Sequence, residues 1–286
     1  MFKICKHQFR QAFLSPRIYL AILLGCSIQI ISAFPLLEYS SAMGKPLGIL
    51  EAFIYFNCDI YTAACVFLGI VLLVADIPFS TQNETYTLLR VSRRKWVGGK
   101  ILYLLGICTI YYIIIFLAGI LFISGNALIS NSWSQPLTAI AKNQSPELAT
   151  QFQLFFPYGN VMALSPVIAA ALCLALSICY GFIMSLFIFW LNLKISRALS
   201  YLAASMVHVV GYLLTALFLS GFYRKFSLFG NSLLMYHNIR NYPGGEIYLT
   251  LPQSFLTYGV VTAALILFIS KAIRAFDFRI TVGTRQ

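Results

Sequence analysis

The chain has 286 residues, 60% of them hydrophobic and only 10% charged, with a mean hydropathy of +0.83. Long apolar stretches with so few charges read as membrane spans, which excludes a soluble globular domain. A formal net charge of +12 then points to basic cytoplasmic loops; nucleic-acid binding, which needs a solvated basic face on a chain with few apolar spans, is excluded.

The first fourteen residues predict an amphipathic helix. Phe2, Cys5, Phe9, Ala12 and Phe13 line one side, and Lys3, Lys6, His7 and Arg10 line the other. Ser15-Pro16-Arg17 ends it before the first span. The helix covers residues 1–16, and because no small-residue cleavage signature follows, the basic and then apolar start reads as leading into a retained span and not as a signal peptide. A bilayer core needs about 20 mainly apolar residues per helix, and six stretches qualify, near 18–36, 57–77, 101–124, 161–190, 199–220 and 255–274. The fold class is therefore an all-α integral membrane protein forming one transmembrane domain over 1–286.

Between spans two and three lies the loop 78–100, with a basic cluster of Arg90, Arg93, Arg94, Lys95 and Lys100. Read as a helix over 88–100, it puts Arg90, Arg93 and Arg94 on one face and Leu88, Leu89, Ser92, Trp96 and Gly99 on the opposite one. Trp96 then suits the headgroup layer. Residues 125–160 read as a polar outer loop. The segment 221–254 is too apolar for a solvated loop and too interrupted, by Asn231, Pro243, Gly244 and Gly245, for a span. Short re-entrant helices buried by protein fit it.

Orientation follows from Lys and Arg in the loops. Fifteen fall on the side of both termini, in 3–17, 90–100, 194–197 and 271–285, against five on the other side, Lys45, Lys142, Arg224, Lys225 and Arg240. Both termini are expected in the cytoplasm, and Glu38, Glu51, Glu147 and Glu246 in outer loops. Asp59 and Asp76 bracket span two and read as boundary markers. His208 lies deeper, in span five, where a neutral histidine bonded to a neighbouring helix is favoured over a transport role.

Catalytic and metal signatures are missing. His7, His208 and His237 fall in separate regions, no HExxH occurs, and the seven cysteines include no CxxC pair. Gly98-Gly99-Lys100 lacks the upstream glycine of a phosphate-binding loop, and Ile101 stands where a hydroxyl residue is needed. The chain is not read as an enzyme, and neither a metal nor a substrate-binding residue is assigned.

Three features together resemble the permease subunits of type-2 ATP-binding-cassette transporters: the amphipathic start closing in "FLSPRIYL", the loop "NETYTLLRVSRRKWVGGKILY", and six spans with a large outer segment before the last. The chain departs from that family in carrying Arg90-Val91 where a proline is frequent. The resemblance implies that Phe2, Lys6, Phe9, Arg10 and Phe13 belong to an elbow helix. It implies that Glu84, Leu88, Leu89, Ser92, Arg93, Arg94, Lys95 and Trp96 form a coupling helix seated on a cytoplasmic ATPase subunit. ATP and Mg would bind in that partner, with no cofactor in this chain. A second permease subunit, identical or related, and membrane lipid complete the partners, with no nucleic acid. The expectation is an exporter of a hydrophobic drug, peptide antibiotic or lipid in a bacterial cell membrane. The alternative is a non-transporting anchor or sensor that relays a signal to a cytoplasmic partner. An ion-driven transporter is disfavoured, because broken helices in matching halves are not evident.

Overall fold

A computed structural model describes residues 1–75, 77, 91–144, 146–156, 161–217, 224–239 and 249–275. In chain order it has α1 (Phe2–Ala12), α2 (Pro16–Met43), β1 (Leu47–Gly48), α3 (Glu51–Cys58), α4 (Ile60–Cys65), α5 (Phe67–Val74), α6 (Arg93–Ile123), β2 (Ala127–Leu128), α7 (Gln135–Ala141), α8 (Pro146–Gln151), α9 (Pro166–Asn192), α10 (Arg197–Ala216) and α11 (Leu251–Ala275).

Five helices are long and apolar enough to cross a membrane, namely α2, α6, α9, α10 and α11. A sixth span exists if α3 and the α4–α5 stretch are counted together, although the two are bent by 82°. Pro16 and Pro166 occupy first-turn positions of α2 and α9, where a missing N–H costs nothing. Gly44, at φ +62°, closes α2 in a left-handed cap. At 1.5 Å per residue, 28 residues of α2 and 31 of α6 reach well past the ~30 Å hydrocarbon core. Their C-terminal ends are tied by a two-residue parallel ladder, Leu47 with Ala127 and Gly48 with Leu128.

Several sequence boundaries need correction. The first span runs on to Met43 through Pro35. The third begins at Arg93, so residues 93–100 are its first two turns and not part of a separate loop helix. The fourth begins at Pro166, since 161–165 are not part of the helix.

The largest change concerns span two. Asp59 adopts an extended conformation, and its carboxylate accepts from Tyr61 N at 3.3 Å and Thr62 N at 3.1 Å, starting α4 afresh. Thr62 Oγ1 then donates to Phe56 O at 3.0 Å, filling an acceptor left by the break. The span expected over 57–77 is thus interrupted near its start, and Asp59 at that boundary caps the helix that follows. All eight residues of α3 are buried.

Glu51 opens α3 and is fully buried, not displayed in an outer loop. Its carboxylate accepts from Ser134 N at 2.6 Å, Ser134 Oγ at 2.5 Å and Gly48 N at 3.0 Å. One acid therefore joins β1, α3 and the start of α7. Replacing Glu51 with Leu leaves those donors buried without an acceptor, at a cost of about 3 kcal/mol. Thermal unfolding of the detergent-purified chain should show that loss, with the exposed Glu38→Gln change as an unaffected control.

Candidate functional site

The end of the bundle that holds the N-terminus is organised by α1. Its packed face is Ile4, Gln8 and Ala12, each buried, which sit on the first turns of α6. Glycines on α6 make that approach possible. A Cβ at Gly99 would lie 2.8 Å from Ile4 Cγ2, one at Gly98 2.2 Å from Met1 Cε, and one at Gly106 2.6 Å from Phe9 Cζ. The Gly98-Gly99-Lys100 triplet therefore has a packing role here. Lys100 is 1% exposed; its ammonium donates to Gln8 Oε1 at 2.7 Å and lies 5.3 Å from the Trp96 ring centre. Phe9 meets Tyr103 edge-on at 5.0 Å, whereas Phe2 is 82% exposed, with Phe13, Lys6 and Arg10 also exposed.

The coupling residues separate into three groups. Arg94 and Lys95 are exposed. Arg93, also exposed, points back into the fold: its guanidinium donates to Arg274 O at 2.9 Å and Ile273 O at 3.4 Å, capping the C-terminus of α11. Trp96 is fully buried, 6.2 Å from Phe189, so it does not reach a headgroup layer. The reason is that α6 has already begun, and position 96 faces α9. Ser92 is the N-cap position of α6. Glu84, Leu88, Leu89, Arg90 and Asp76 lie outside the described residues.

Deeper in the bundle, His208 of α10 is satisfied on both nitrogens. Tyr180 OH lies 2.6 Å from Nδ1 and Ala64 O lies 3.2 Å from Nε2. A carbonyl can only accept, so Nε2 carries the proton and Nδ1 accepts from the tyrosine: a neutral tautomer assigned from the network. The ring stacks on Phe67 at 4.1 Å and meets Phe229 edge-on at 5.2 Å. Nearby, Asn57 accepts from Ser177 Oγ at 2.8 Å, while Gln29 donates to Ala52 O at 3.1 Å. Asn192 reaches from the end of α9 to Ile77 O at 2.6 Å, and Tyr201 of α10 donates to Ala75 O. The α4–α5 half-span is thereby pinned at its C-terminal end.

Two apolar cavities flank α10. One, of about 320 Å³, is lined by Tyr61, Leu68, Ser205, His208 and Tyr212 among others. The other, of about 270 Å³, includes Tyr180, Met184, Met206, Leu214 and Phe226. The Tyr180–His208 hydrogen bond joins a residue of each lining. Among the described residues no group of three His, Cys, Asp or Glu could hold a metal ion, and all seven cysteines are free.

Residues 225–237 dip among α9, α10 and α11 as two 3-10 turns, Gly230–Ser232 and Leu234–Tyr236. Ser227 Oγ donates to Gly211 O at 2.7 Å, and Thr215 Oγ1 lies 2.9 Å from it. His237 is fully buried between Leu233 O, 3.1 Å from Nδ1, and Ser254 Oγ, 2.8 Å from Nε2; the Ser254 hydroxyl also lies 2.7 Å from Asn231 Oδ1. Burial pulls the His237 pKa down to about 4, against the carbonyls of Leu233 and Leu234, which raise it. The sequence suggested short helices here; Arg240, Pro243 to Gly245 and Glu246 lie outside the described residues. No protein-family model, curated protein or solved structure matches the chain.

Sequence reading missed Tyr180, Phe229 and Glu51 as site-building residues. Tyr180 and Phe229 are aromatic positions in apolar surroundings, with nothing local to distinguish them from lipid-facing ones.

Two outcomes follow. Tyr180→Phe removes the hydroxyl proton that His208 Nδ1 accepts and should lower stability by about 1–2 kcal/mol in thermal unfolding, without loss of the fold. His237 has a folded pKa below the ordinary value of 6.5, so its neutral form stabilises the chain above that pH. That contribution should fade as pH falls from about 6.5 towards 4. His237→Gln should flatten this slope in an unfolding series over that range; an unchanged slope would remove His237 from the account.

Proposed function

We propose that this chain is the membrane-spanning permease subunit of an ATP-driven exporter for hydrophobic molecules, energised by a separate cytoplasmic ATPase. The observation that carries the reading is the inner platform. An amphipathic helix is locked on the root of α6 through Lys100–Gln8 and the Gly98-Gly99 seat, and the next turn out displays Arg94 and Lys95. A push on that rim moves α6 and, through Arg93, the end of α11. The apolar cavities beside α10 suit a hydrophobic cargo, and the sequence has no phosphate-binding loop of its own. A second permease subunit would complete the pathway, in a cell membrane with both termini inside.

A second reading, an ion-driven transporter, gains from the break at Asp59, since discontinuous helices mark ion sites in such proteins. Both Asp59 oxygens, however, are spent capping α4, and no matching break appears among the described residues of the other half. A signal-relaying anchor would use the same inner rim without the cavities.

The test is a mild-detergent pull-down on the full chain with ATPase activity as the readout. An ATPase should co-purify, be stimulated by hydrophobic cargo, and lose that stimulation in the Arg94→Glu plus Lys95→Glu variant at unchanged melting temperature. Arg93→Glu should instead lower the melting temperature, because it uncaps α11. If no ATPase is recovered in several detergents, the anchor or sensor reading moves ahead.

A further inference from the structure

A much smaller cavity lies at the break in span two, where α3 and α4 meet α6, α9 and the segment 225–237, with a volume of about 10 Å³. That is the lower limit for one water molecule and too little for a larger ligand. Its described lining residues include Asn57, Tyr112, Ser177, Tyr180 and Ser232, which carry hydroxyl or amide groups, and none of them is a carboxylate or a cation. All five are at most 6% exposed. The larger cavities beside α10 have no comparable concentration of polar groups.

The protons around this cavity are nearly all placed. Ser177 donates to Asn57 Oδ1 at 2.8 Å, Tyr180 to His208 Nδ1 at 2.6 Å and Ser232 to Phe229 O at 2.7 Å, while the Asn57 amide donates to Phe53 O at 2.9 Å. Each of these four side chains keeps a lone pair that can accept. Tyr112 is the exception, because its hydroxyl has no hydrogen-bond partner among the described residues. Its ring is held in place by Gly181, where a Cβ would lie 2.9 Å from Tyr112 Cε2, and by Tyr111, met edge-on at 5.3 Å. A buried hydroxyl without a partner is costly. One spare donor among four spare acceptors is an arrangement that a single water completes. The water accepts from Tyr112 and donates its two protons to two of the neighbouring oxygens, three bonds in all, the usual number for a buried water.

We propose that this cavity binds one structural water, held by Tyr112 and by two of Asn57, Ser177, Tyr180 and Ser232. The water links α6 to the Asn57–Ser177 and Tyr180–His208 pairs. Because it can exchange one acceptor for another, the α4–α5 half-span can shift against α9 without leaving a polar group unpaired. This rests on the packing of the bundle and depends neither on an ATPase partner nor on which end of the chain faces the cytoplasm.

The experiment is pulsed X-ray radiolysis of the full-length chain in detergent, with mass spectrometry reading hydroxylation at each tyrosine. Tyr112 should be hydroxylated despite its burial, because the radical forms on the adjacent water. Tyr39, fully buried with a hydroxyl that is also unpartnered, should stay unmodified. Labelling of Tyr112 no greater than that of Tyr39 overturns the proposal. In a second measurement, Tyr112→Phe should lower the melting temperature by about 2–3 °C, the effect of losing one water-mediated hydrogen bond. A dry cavity predicts the opposite sign, since the variant would then remove an unpaired buried hydroxyl, so an unchanged or higher melting temperature also overturns it. Replacing sodium chloride with choline chloride should have no effect; a stabilisation by sodium that Tyr112→Phe abolishes overturns the water in favour of a bound cation.

Discussion

A polar backbone group buried in apolar surroundings must find a partner inside the protein, and the break at Asp59 shows how this chain meets that constraint. Interrupting a helix exposes N–H groups on one side and carbonyls on the other. Asp59 takes up two of the N–H groups, and Thr62 returns a hydroxyl to Phe56 O. With its backbone satisfied locally, α3 can turn by 82° and bury itself completely. Glu51 then serves β1, α3 and α7 with a single carboxylate. The remaining polar pairs, Asn57 with Ser177 and His208 with Tyr180 and Ala64 O, fix the broken helix against α9 and α10.

The end of the bundle around α1 solves a different problem. A lysine with 1% exposure is costly unless its ammonium is solvated by the protein. Gln8 and the Trp96 ring supply part of that solvation, and both are set by how closely α1 approaches α6. The approach in turn depends on glycines at 98, 99 and 106. Packing, electrostatics and the position of the exposed Arg94–Lys95 rim are thus one coupled arrangement. Arg93 extends it to α11 by capping that helix's final carbonyls. The basic cluster therefore has mixed duties: Arg94 and Lys95 face outward, Arg93 and Lys100 hold helices together. A charge-reversal variant that includes Arg93 would confuse docking with stability.

Around α10 the structure offers cavities but little polarity. Both nitrogens of His208 are occupied, and the cavity it lines is otherwise mostly apolar. Such a site can accommodate hydrophobic surface and has little with which to grip charge. The dipping segment 225–237 closes one side, with Phe229 against His208 and Tyr180. Its own hold on α11 runs through His237, Ser254 and Asn231.

Hydropathy alone located the long apolar helices, because a run of about 20 apolar residues has few soluble alternatives. The amphipathic start was equally legible, since the period of charges in residues 2–13 is local information. Which face of that helix would pack was not: Ile4 and Gln8 became the contact because glycines far along the chain let α6 come close. Nor could sequence show that Trp96 is interior, that Glu51 is buried, or that Asp59 breaks a span. The first two depend on a segment far along the chain, Phe189 for Trp96 and Ser134 for Glu51, whereas the Asp59 break is capped by its own neighbours and needs the packing of α3 to be seen as a break. Local pattern fixes which segments are helices and how many are apolar; only the packed bundle decides which polar groups meet, and so which of them hold the fold and which stay exposed.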